Sequence, residues 1–180
     1  MAVWSVPAAL YMGSITKADG TGGTRVNDID ENSIHIAIAT TGRRRRMRNR
    51  HLRRPLIWTA DATVTVKLMS NDQEGLDRIL AFFSGTDLAK GNLNPLPGEQ
   101  KKNVGLLIVP EATSSKHLFY SPEVSVEGVP AHLYYDRQVA LLEGNYVTFA
   151  CHQWAGYDTE PPWTMGVAAT IEAAHTEITT

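Results

Sequence analysis

Residues 56–70 read LIWTADATVTVKLMS. Ala62, Val64, Val66 and Leu68 alternate with Asp61, Thr63, Thr65 and Lys67. A period of two in a run rich in β-branched residues predicts a half-buried strand. Upstream, Ser33 to Thr40 (SIHIAIAT) repeats the pattern, with Ile34, Ile36 and Ile38 on one face and His35, Ala37 and Ala39 on the other. Downstream the period changes. Leu76, Ile79, Leu80 and Phe83 fall at i, i+3, i+4 and i+7, the single apolar stripe of a helix over 71–84 that packs on the sheet. Ser70 with Gln73 and Asn71 with Glu74 are spaced as capping boxes, and Gly85 stands where a helix ends. Gly75 weakens the helix slightly.

The flanking sequence extends this frame. Ala2 to Tyr11 is apolar, interrupted by Pro7, and reads as strand or arm. Lys17 to Asn27 and Asp87 to Asn103 are rich in turn residues and read as loops. Strand signals recur at Val104–Val109, Leu118–Tyr120, Glu123–Glu127, His132–Leu142 and Tyr146–His152, with a hairpin turn at Leu142–Tyr146. In the tail, Met165 to Ile178, Val167, Ala169 and Ile171 alternate; the alanines tolerate a helix, but a strand is the preferred reading. There is no internal repeat and no linker. The expectation is one mainly-β domain over 1–180, carrying one flanking helix and long loops.

Composition sets outer bounds. The chain has 180 residues, 43% of them hydrophobic, with a net charge of -2, so it does not resemble a disordered protein. Cys151 is the single cysteine, which excludes a disulfide scaffold. No apolar run approaches the roughly 18 residues of a membrane span. The first residues, MAVWSVPAALYMGSITK, carry no basic region ahead of their apolar part, so the expectation is a soluble intracellular or virion-borne protein without a membrane partner.

Catalytic and metal templates fail when tested. Asp28 to Asn32 imitates the start of a calcium loop, but Ser33 and Ala39 stand where glycine and glutamate are needed. Gly20 to Gly23 does not open a helix, so it offers no phosphate cradle. The histidines at 35, 51, 117, 132, 152 and 175 have no zinc spacing. Cys151 and His152 point to opposite faces of one strand, and His132 with Asp136 shares a face without a nucleophile. The plain reading is a partly buried cysteine and surface histidines, with no enzyme, metal or cofactor. Trp154–Tyr157 and Pro161–Trp163 suit a subunit interface better than a ligand platform.

One signal stands out. Arg43 to Arg54 reads RRRRMRNRHLRR: eight arginines (Arg43, Arg44, Arg45, Arg46, Arg48, Arg50, Arg53, Arg54) and no acid. Set those aside, and nine basic residues face 19 acidic ones, a balance of -10. The run lies between two strands, in a connection at about 41–55 that reads as extended and hairpin-like. It lacks the zinc ligands, helix-turn-helix pattern or interleaved aromatics of a specific nucleic-acid module. Docking on acidic surface of a neighbouring subunit, through guanidinium–carboxylate pairs, ranks first. Non-specific DNA contact ranks second and a solvated charge run third.

The order strand (Ser33–Thr40), long connection (Thr41–Pro55), alternating strand (Leu56–Ser70), capped helix (Asn71–Ser84) and further strands resembles a phage tail tube subunit. The resemblance covers Ser33 to Ser84 well and the rest loosely. It implies a β-sandwich or small β-barrel flanked by a helix. It also implies a virion protein, made in the host cytoplasm, whose subunits form stacked, typically hexameric rings that meet other tail proteins. The connection would then match the family's loop reaching the next ring. Such tube bores tend to be acidic, so the arginines are expected at a subunit contact and not in the lumen. The alternatives are a capsid decoration or tail completion protein, a nucleic-acid-binding module using Arg43–Arg54, and, kept for His132, Asp136 and Cys151, a small β-barrel enzyme.

Overall fold

The alternating run ending at Lys67 is an inner strand, paired on both sides. The structure, a computed structural model, describes residues 7–46, 53–69, 73–83, 104–111, 117–128, 146–151, 161–175 and 178; over 40–46 and 53–60 the description is of the main chain. In chain order the elements are β1 (Ala8–Gly13), β2 (Gly23–Arg25), β3 (His35–Arg46), β4 (Arg53–Lys67), α1 (Gln73–Ala81), β5 (Gly105–Pro110), β6 (Leu118–Ser121), β7 (Val124–Gly128), β8 (Tyr146–Cys151), β9 (Thr164–Gly166) and α2 (Ala168–Ala174). They form two antiparallel sheets, ordered β3-β4-β8-β7 and β2-β1-β5-β6-β9. The expected mainly-β class holds. Among the described residues each sheet keeps its own edges, so the architecture is a sandwich and not a closed barrel.

Strand alternation builds the core. Leu10, Met12, Leu106, Ile108 and Phe119 of the five-stranded sheet meet Val64, Val66, Val124 and Phe149 of the other. α1 joins the same cluster through Ile79, Leu80 and Phe83. The Phe83 ring stacks on Phe149 with centroids 5.9 Å apart. The Leu76 side chain, both capping boxes and Gly85 lie outside the described residues, as do the 87–103 loop, the 132–142 strand and the turn after it.

Gly75 has a structural use. A Cβ there would lie 3.3 Å from the Asp28 Cβ, so its absence lets α1 approach the 28–33 segment closely. Arg78 then grips Asp28 through two charge-assisted bonds of 2.6 and 2.8 Å. The acidic stretch that imitates a calcium loop is thus a stitch. Asp28 holds α1, the Asp30 carboxylate accepts from the Asn32 amide, and Ile29 bridges to Leu68.

Three expectations change. The loop at 17–27 contains β2. Its Gly22 has φ +85°, and a Cβ there would collide with the Ser14 carbonyl oxygen, so the turn requires glycine. In the tail, Met165 and Gly166 end β9, but Ala168–Ala174 is a helix, α2, and not the preferred strand. It covers the outer face of the five-stranded sheet, where Ile171 and Ile178 pack with Ile15, Leu107, Leu118 and Tyr120 in a second cluster. A further strand at the sheet edge would have left that apolar face open to water; a helix covers it. Last, the strand bounds move: the extended, hairpin-like connection at 41–55 is itself paired strand, with β3 running to Arg46 and β4 beginning at Arg53.

Candidate inter-subunit surface

β4 pairs with β8 from Ala62 to Lys67. Its pairing with β3 continues for eight more steps, from Ala39↔Asp61 to Arg46↔Arg53. At ~3.4 Å per residue those steps make a two-stranded ribbon roughly 25 Å long, beyond the part of the sheet that β8 supports. Among the described residues β4 has one partner at Pro55, the edge position at which proline is tolerated.

The ribbon is re-aimed at its base. Thr41 pairs with Thr59 and Gly42 with Ile57, leaving Trp58 as the extra residue of a bulge, a device that bends and twists a strand. Just before the bulge the inner face of β3 loses its cover. Ile38 opposes the buried Ala62, yet is 45% exposed.

Charge makes the ribbon unstable alone. Arg45 is registered against Arg54 and Arg46 against Arg53. Directly opposed like charges destabilise a ladder, and a lone two-stranded hairpin is marginal in water even without them. Arg48 and Arg50 lie outside the described residues. The extended, hairpin-like form was expected; strand pairing as far as Arg46 and Arg53 was not, because residues 41–55 show no apolar alternation. The signal that remained was Gly42 and Pro55, residues typical of a bulge and an edge.

The other singled-out residues are structural where described. Cys151 is buried, and burial pushes its thiol up to about 12, with a Ser121 hydrogen bond acting weakly the other way, so it is not a nucleophile. His35 and His117 are exposed, as expected, but His175 is buried: its Nε2 lies 2.7 Å from Thr164 Oγ1 and its ring meets Tyr120 edge-on at 4.8 Å. Trp163 stacks on Phe119 at 5.8 Å and packs against the chain's own core. His51, His132, Asp136, His152 and the 154–157 aromatics lie outside the described residues. Among the described residues no His, Cys, Asp and Glu group could hold a metal ion, and no helix is long and apolar enough to cross a membrane.

Acidic groups concentrate near the start of β1. Arg25 is bonded to Glu31 and lies 3.5 Å from Glu111, and the Glu31 bond and charge raise its already high pKa. Two carboxylates thus share one guanidinium there. No protein-family model matches the chain, and no curated protein matches it either.

Proposed function

We propose that the chain is a structural subunit of a phage tail tube, which self-assembles into stacked rings for genome passage. The observation that carries this reading is the β3–β4 ribbon: it outruns its own sheet, opposes arginine to arginine, and needs an anionic partner to be stable. The two-sheet sandwich with a helix packed into its core agrees with the fold that the resemblance implies. Edge strands β3, β7, β2 and β9 also give neighbouring subunits sheets to join. The protein then has no catalytic role, and it works in the virion tail after assembly in the host cytoplasm.

Electron microscopy of the purified protein tests this. Rings or tubes are expected. A compact monomer by light scattering across a wide concentration range would overturn it.

A further inference from the structure

The ring-forming reading leaves open where the ribbon goes, and the sandwich holds a receiving shape. Between the two sheets, along the start of β3, lies a groove of about 450 Å³. Its wall at 33–36 runs beside Lys67 to Val64, whereas the ribbon leaves the sheet past Ala62 in the other direction. Ile36, Ile108 and Met165 give it an apolar floor, and Glu31, Asn32 and His35 line its polar side. Glu111 stands beside Glu31 across Arg25. The apolar face of β3 continues from Ile34 and Ile36 in the groove to the exposed Ile38.

We infer that this groove receives the β3–β4 ribbon of a second copy of the chain, its apolar residues on the floor and its arginines against the Glu31 and Glu111 rim. The chain's own ribbon cannot fill it. Residues 34–36 form one wall, and folding β3 back on itself would break the Ala39↔Asp61 pairing that starts the ribbon. The chemistry matches on both counts. Leu56 and Ile57 are registered against Arg43 and Gly42, so the ribbon carries apolar and cationic residues together. The groove pairs its apolar floor with Glu31, which shares a single guanidinium, that of Arg25, with Glu111. A volume of that size is in the range of sites that enclose sizeable ligands.

This inference rests on the tail tube reading, and the test separates the two. Cysteines are placed at the groove and on the ribbon as Asn32→Cys with Arg45→Cys, and as Asn32→Cys with Arg44→Cys. Arg44 and Arg45 are consecutive in a strand and therefore lie on opposite faces of the ribbon. Native Cys151 is silent because it is buried with a thiol pushed up to about 12. Each variant is mixed with an equal amount of wild type, which carries the assembly, and treated with a short bis-maleimide. A ladder of covalent oligomers is expected from at least one pair, in samples where microscopy shows rings or tubes. Rings or tubes with no ladder from either pair would overturn the groove and leave the tube reading standing. A ladder from Asn32→Cys alone would mean that grooves face each other and would overturn the assignment. Absence of rings and tubes in wild type would overturn both.

Discussion

Phe83 is 5% exposed and stacked on Phe149, and it ties α1 to the core at the point where the two sheets meet. Replacing it with alanine removes the stack and leaves a cavity, so a loss of about 3 kcal/mol is expected, read as a lower urea midpoint with an unchanged slope. Cys151 gives a second residue-level prediction. Its native thiol keeps its proton to about 12, whereas an unperturbed thiol loses it near 9.0. Between those values the folded chain binds more protons than the unfolded one, so stability falls as pH rises, by at most about 1.4 kcal/mol per pH unit. Thermal melts from about pH 8 to about pH 11 should therefore decline less steeply for Cys151→Ala than for wild type; parallel declines would show that the thiol titrates normally. At this scale the sequence was legible where periodicity spoke. Ile79, Leu80 and Phe83 fall on one stripe and are buried together. It was silent for His175, whose burial depends on Thr164 and Tyr120, residues that no spacing rule brings to it.

α2 shows why a tail can be read with the wrong period. Val167, Ala169 and Ile171 alternate as a strand would, while Ala168, Ala169, Ala173 and Ala174 favour a helix. Local sequence does not decide between them; the uncovered outer face of the five-stranded sheet does. The helix has seven residues and no side-chain cap, so it is too short to persist without docking. Ile171 is its buried residue. Ile171→Ala should cost about 2–4 kcal/mol and strip hydrogen-exchange protection from residues 171–175, while β4 and β8 keep theirs. Equal loss of protection across both sheets would show that α2 is integral to the core and not a cover. The body of β4, by contrast, was legible residue by residue, because it buries one face and so alternates, whereas β5 and β6 bury both faces and read as continuous apolar runs. β3 and β4 lost that signal beyond Ile38, where the apolar alternation stops and the pairing continues.

For the whole molecule the deciding quantity is the separation of charge between a ribbon that carries eight arginines over 43–54 and a body at -10. That separation was legible from composition, and the hairpin-like form from the segment's place between two strands; the length of the paired ribbon was not. Changing Arg43, Arg44, Arg45 and Arg46 to glutamate takes the arginine segment from +8 to a formal charge of zero. It also sets one carboxylate opposite Arg54 and another opposite Arg53, converting two repulsive steps of the ladder into attractive ones. The ribbon itself should therefore be at least as well formed, and the sandwich, whose core lies beyond Ile38, should melt at an unchanged temperature. Assembly should nevertheless be lost, because what the substitution removes is the attraction between the ribbon and the carboxylates of another subunit. Salt alone cannot make this distinction, since it screens phosphate and carboxylate contacts alike. The variant is thus compared with wild type in one buffer for ring or tube formation, melting temperature and DNA retention. Lost assembly with an intact melt is the expected result. Normal assembly with lost DNA retention would assign the ribbon to nucleic acid and displace subunit docking as its role.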